Sequence, residues 1–266
     1  MNRSRLIAGL LSAALLSACG DNAVQKITTT LPGSAIKFFN FGVCGTTQTT
    51  TTSCMPSVNF YANDTKITAT SSTTGAESSS GTAYGAVGNA ALYSGIEPGQ
   101  YTVSGRISAA GADKDVPVSN TPVTLVDGKS YSYYLSGFYN TTTKAVESFV
   151  VEDELPAIDF STTYVRFVNA ISNASPMTLY AKNTTSATET AIGGEIAYKN
   201  AGAFVSIPGG TYDLSTRYAG TSTNAISRTG VAFVPGRIYT INARGDITIT
   251  STTAVNRPFL DNTPNL

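Results

Sequence analysis

The sequence predicts an all-β protein made of two tandem antiparallel β-sandwiches. Three observations carry that expectation. Only 13% of the residues are charged, His and Trp are missing, and long runs of helix formers are confined to the first twenty positions. Tyr, Val, Ile and Thr dominate the rest, and these residues suit a pleated, half-buried surface. Apolar residues then alternate with period two: Ile36 with Phe38, Tyr101 with Val103, and Tyr131, Tyr133 with Leu135. Finally, the same series of blocks recurs in the same order about a hundred residues further on.

At the N-terminus, MNRSRLIAGLLSAALLSACG places Arg3 and Arg5 before an apolar run from Leu6 to Leu16 and a small-residue ending. That is the layout of a secretory signal, too short for a spanning helix. Leu16-Ser17-Ala18-Cys19 resembles a bacterial lipobox. Residues 1–18 are therefore expected to be a lipoprotein signal peptide and Cys19 the lipidated start of the mature chain, held to a membrane by its acyl chains. An ordinary signal peptide cut near Ala18 is the alternative. Gly20 rather than Asp follows the cysteine, which by resemblance to proteobacterial sorting signals favours the outer membrane of the cell envelope. Residues 19–33 are polar, lack alternation and read as a flexible tether.

The repeat begins at Ser34. AIKFFN (35–40) aligns with YVRFVN (164–169), VNFYAN (58–63) with MTLYAKN (177–183), and TAYG (82–85) with IAYK (196–199). SGIEPGQYTVS (94–104) aligns with VSIPGGTYDLS (205–215), and VDGKSYSYYLSG (126–137) with VPGRIYTINARG (234–245). The domains implied are 34–152 and 162–256, joined by an acidic linker at 153–161 and followed by a C-terminal tail at 257–266. Short strands broken by Gly, Pro, Asn and Asp suggest about seven per copy, in an immunoglobulin- or transthyretin-like sandwich. The first copy is longer by the segment holding Cys44 and Cys54. In an exported chain that pair reads as a disulfide, and without histidines a metal site is the poorer reading.

Gly128 and Gly236 supply a turn at positive φ, and Tyr131 and Tyr239 follow three residues later. Each ring is expected to be buried while its hydroxyl bonds back to the turn backbone, as in a tyrosine corner. The Pro-Gly turns before Tyr101 and Tyr212 read as a second set of the same device.

The order YVRFVNAISNASPMTLYA, IAYKNAGAFVSIPGGTYDLSTRYAG, FVPGRIYTINARG resembles the bacterial domain-of-unknown-function family numbered 4397. The second copy matches across nearly all of 163–250. The first matches more loosely over 34–150, with Lys37 in place of the family's Arg and Phe41 where an Ala belongs. The resemblance implies an exported, often tandem and often lipid-anchored protein, and implies no activity.

Chemistry is sparse. Without histidine there is no Ser-His-Asp triad, no Cys-His pair and no His-ligated metal. Ser34-Ala35-Ile36-Lys37 fits Ser-x-x-Lys only formally, because it opens a strand where that motif needs a helix. The linker acids Glu152, Asp153, Glu154 and Asp159 read as a solvated hinge, with a Ca²⁺ ligand set or a hydrolytic carboxylate pair as alternatives. A near-neutral chain without a basic stripe excludes nucleic acid as a partner. The expectation is a non-catalytic envelope lipoprotein without cofactors, presenting two sandwiches for binding an envelope protein or glycan, or for envelope structure. A carbohydrate-binding or adhesive module using the Thr-rich loops and exposed aromatics such as Tyr134, Phe138 and Tyr139 is second, and a hydrolase third.

Overall fold

The computed structural model describes residues 33–44, 54–68, 81–108 and 112–265. Cys19, the leader and the tether up to residue 32 lie outside the described residues. The first sandwich contains β1 (Ser34–Asn40), β2 (Val58–Ala62), β3 (Thr65–Lys66), β4 (Ser94–Ile96), β5 (Gly99–Ile107), β6 (Pro117–Leu125), β7 (Ser130–Asn140) and β8 (Ala145–Glu152). The second contains β9 (Thr163–Asn169), β10 (Met177–Asn183), β11 (Glu189–Ile196), β12 (Asn200–Ala201), β13 (Val205–Ile207), β14 (Gly210–Tyr218), β15 (Ile226–Phe233), β16 (Ile238–Arg244) and β17 (Phe259–Pro264).

Each copy closes two sheets over one core. In the first, β4-β1-β7-β8 faces β3-β2-β5-β6. In the second, β12-β9-β16-β17, with β13 also on β9, faces β11-β10-β14-β15. The period-two residues point where the sequence places them: Ile36, Phe38, Tyr133 and Leu135 fill the first core, and Val165, Phe167, Tyr239 and Ile241 the second. One feature departs from the antiparallel expectation. β1 runs parallel to β7, and β9 parallel to β16, because the strand that opens each copy docks beside the one that follows its last turn. The segment read as a C-terminal tail contains β17, which pairs with β16 from Tyr239↔Pro264 to Arg244↔Phe259 and buries Leu260 completely.

The turn tyrosines make the backbone bonds the sequence predicts, with the rings of Tyr131, Tyr212 and Tyr239 buried and that of Tyr101 half-buried. The amide of Val126 donates to the Tyr131 hydroxyl at 3.1 Å, and that of Val234 to Tyr239 at 3.2 Å. The Tyr101 hydroxyl donates to the Glu97 carbonyl at 2.8 Å, and Tyr212 to that of Pro208 at 2.7 Å. Gly128 and Gly236 sit at φ 74° and 76°, a left-handed conformation that a side chain adopts only under strain.

The described residues form one compact unit. The sheet of β1 and β7 lays its outer face on the outer face of the β9 and β16 sheet. Phe39, Phe41, Tyr134 and Phe149 from the first copy meet Val168 and Ala170 from the second in an apolar cluster separate from the two sandwich cores. Tyr134 stacks between Phe39 and Phe149, with ring centroids 4.3 and 4.7 Å away. Tyr134 and Tyr139, expected on the surface, are therefore buried, and Phe138 is half-buried. Alternation assigns Tyr134 to the face opposite the core, and that face is covered by the other repeat.

Candidate functional site

The junction between the sandwiches holds the most concentrated polar chemistry of the described residues. Three charged side chains are buried there: Lys37 on β1, Arg166 on β9, and Asp153 just after β8. A charge in such a place needs partners to offset its lost hydration. Arg166 finds them at the Asp153 carboxylate, the Thr240 hydroxyl (3.0 Å) and the Glu152 carbonyl (3.2 Å). The second Asp153 oxygen accepts from the hydroxyls of Tyr93 (2.5 Å) and Ser132 (2.7 Å). Lys37 donates to the Pro264 carbonyl at 2.6 Å, and its ammonium lies 4.3 Å from the centre of the Tyr93 ring. Burial pulls the Lys37 pKa down to about 8, with Asp153 opposing and Arg166 reinforcing the shift. Burial and the Asp153 charge push the Tyr93 phenol well up, so it stays a donor.

Beside this cluster an open groove of about 560 Å³ runs between the end of β8 and the β12–β13 segment, lined by Glu152, Glu154, Pro156, Asn200 and Phe204 with Arg166 at its floor. The Phe204 ring covers the guanidinium at 4.8 Å. Arg166 is engaged on three sides by protein groups, so the groove meets no unpaired cation there.

The acidic segment is not a solvated hinge throughout. Asp153 turns inward, Glu152 pairs with Lys129, Glu154 is exposed at the groove, and Asp159 folds back onto Ser161 through the backbone amide (2.8 Å) and hydroxyl (2.7 Å). The four carboxylates do not converge, and the described residues contain no group of three or more acidic or thiol side chains placed to hold a metal. Cys44 and Cys54 are joined by a disulfide, with Cα atoms 5.6 Å apart; the intervening residues 45–53 lie outside the described residues. Ser34 opens β1 with its hydroxyl on the Ile96 carbonyl, while the Lys37 ammonium is on the Pro264 carbonyl, so the formal Ser-x-x-Lys pair does not act together. Asp113 is exposed and pairs with Lys144 at 2.9 Å.

The sequence names Lys37 only as a substitute for the family's Arg and as part of a formal Ser-x-x-Lys, and it assigns Arg166 and Tyr93 no role. A signal existed. Lys37 and Arg166 occupy the same position of the two repeats inside otherwise apolar strands, and Phe39 and Phe41 make the outer face of β1 apolar as well.

The family model for "Domain of unknown function (DUF4397)" matches this chain twice, over residues 50–180 and 163–264. The chain belongs to that family. The first match begins past β1 and runs on through β9 into β10, so its bounds differ from those of the first sandwich. No curated protein sequence matches the chain. Among solved structures, the human-specific toxin intermedilysin aligns with 59% of this chain at 9% identity and a TM-score of 0.24, and the alignment spans 32% of the toxin's own length.

Proposed function

We propose that this protein is a non-catalytic cell-envelope lipoprotein, anchored through lipid on Cys19 and presenting its two sandwiches for binding or for envelope structure. The observation that carries the reading is the leader, in which Arg3, Arg5 and an apolar run end in Leu16-Ser17-Ala18-Cys19. Thioether-linked and amide-linked acyl chains together hold a protein on a bilayer far more firmly than one chain does. By the same sorting logic Gly20 directs the protein to the outer membrane.

The non-catalytic half of the reading rests on the chemistry of the chain. It has no histidine, both described cysteines are bonded to each other, and the linker acids point apart. The aromatic part of the glycan-binding alternative loses support, since Tyr134 and Tyr139, two of its three surface candidates, are buried.

The test is fractionation of cells expressing the wild type and Cys19→Ser, with an alkyne fatty acid as label. The wild type should pellet with membranes and take up label, and the variant should do neither while keeping its β-sheet spectrum. A Cys19→Ser protein that still pellets, or an unlabelled wild type, defeats the proposal.

A further inference from the structure

The junction between the repeats has a symmetry that the family match does not describe. Strand register makes Lys37 equivalent to Arg166, Ser132 to Thr240, Tyr134 to Asn242, and the pair Glu152-Asp153 to Pro264-Asn265. The junction's contacts follow the same correspondence in both directions. Lys37 of the first copy donates to the Pro264 carbonyl of the second, and Arg166 of the second donates to the Glu152 carbonyl of the first. An aromatic ring three residues before an equivalent isoleucine covers each cation: Tyr93 over Lys37 and Phe204 over Arg166.

The flanking contacts repeat the pattern. The amides of Asp153 and Asn265 donate to equivalent carbonyls of Ser130 and Ile238, both at 2.7 Å. Ser132 donates to Asp153 at 2.7 Å, and Thr240 to Asn265 at 2.8 Å. At the edge, Ser136 meets the Tyr198 hydroxyl at 3.2 Å, and its equivalent Arg244 meets the hydroxyl of Tyr84, the equivalent of Tyr198, also at 3.2 Å. At the centre, the equivalent residues Tyr134 and Asn242 touch each other at 2.9 Å. When i meets j′ and j meets i′, and one position meets its own equivalent, the contact is two-fold.

We infer that the outer face of the β1–β7 sheet is a self-recognition surface whose fitting partner is a second copy of the same module, and that the two repeats fill it for each other as an internal two-fold pair. The side chains have diverged on this shared frame. The first copy supplies the large groups Phe39, Phe41 and Tyr134, where the second has Val168, Ala170 and Asn242. Two first copies would crowd Tyr134 against Tyr134 on the axis, and two second copies would leave space between Asn242 and Asn242. Shape thus selects the partner within the chain over one outside it. Any external partner therefore engages other surfaces: the outer faces of the two remaining sheets, the loops or the groove.

The one acid buried among the described residues of the junction makes the symmetry testable in the full chain. Asp153 is on one side of the axis and Asn265 is its equivalent on the other; the Tyr93 hydroxyl joins them, at 2.5 Å from Asp153 and 2.8 Å from the Asn265 amide. Asp153→Asn leaves Lys37 and Arg166 buried with no acid and should lower Tm by roughly 5–10 °C. Adding Asn265→Asp moves the acid to the equivalent site and should restore more than half of that loss. Asp153→Asn with Asn242→Asp moves it to a nearby non-equivalent site and should restore none. If Asp153→Asn alone yields no folded protein, recovery of folded monomer by the Asn265→Asp combination is read instead. The inference is overturned if that combination melts no higher than Asp153→Asn, or if Asn242→Asp rescues equally well.

Discussion

At the scale of single residues, Lys37 ties the junction to pH. Its pKa in the folded chain, about 8, lies below the ordinary lysine value of 10.5 because burial penalises the ammonium. Below about pH 8 the cation is present in both folded and unfolded chains, and the full cost of burying it is felt. Between about 8 and 10.5 the unfolded chain holds more protons than the folded one, so the contribution to stability rises with pH. Urea unfolding of wild type and Lys37→Met at several pH values isolates this term. The difference should move in favour of the wild type by on the order of 3 kcal/mol across that window. A difference independent of pH would contradict the assignment. The tyrosine corners give a second residue-scale test. Tyr131→Phe and Tyr239→Phe each remove the acceptor of a turn amide, and each should cost about 1 kcal/mol in the same assay. Similar costs at both sites are expected, since the two corners are built alike.

At the scale of elements, β17 decides whether the second sandwich is complete. Leu260 is in its core, Thr263 and Asn265 are buried, and the strand covers the open edge of β16. Removing residues 259–266 should therefore cost the fold of the second copy and not merely trim it. Loss of near-ultraviolet circular dichroism in the truncated chain is the expected result; a native spectrum would show that β17 is dispensable. The disulfide acts on a different element. Cys44 and Cys54 close a loop of sequence separation 10, for which loop-closure entropy predicts about 2–3 kcal/mol. Reduction should lower stability by no more than that while leaving the second sandwich intact, as amide exchange of β9 to β17 would report.

At the scale of the whole molecule, the two sandwiches are coupled by the third core and the charges beside it. The backbone from Ala157 to Ser161 is exposed and offers a protease a site, whereas Asp153 is buried on one side of it and Thr163 on the other. Limited proteolysis should cut there and give two fragments on a denaturing gel. On a sizing column the fragments should still elute together, because the face between them carries Tyr134, Phe39 and Phe149 against the second copy. Fragments that separate as soon as they are cut would mean that the junction contributes little.

The features legible along the chain are local or repeated: the all-β class from composition and alternation, the duplication from the order of its blocks, the corners from Gly and Tyr three residues apart, and the pairing of two close cysteines. Each rests on residues near one another in the chain or on comparison of one copy with the other. The tertiary structure alone decided what covers the outer faces. Alternation assigns Lys37, Phe39 and Tyr134 to the side away from the core. It does not say whether water or protein waits there, because the partner lies about 108 residues along the chain, as Tyr134 and Asn242 show. Asp153 therefore reads as a solvated linker acid until Arg166, Tyr93 and Ser132 are brought around it. Parallel docking of β1 on β7 and β9 on β16 escaped the sequence for the same reason. Strand direction within a sheet is set by long-range closure, and no single segment records it.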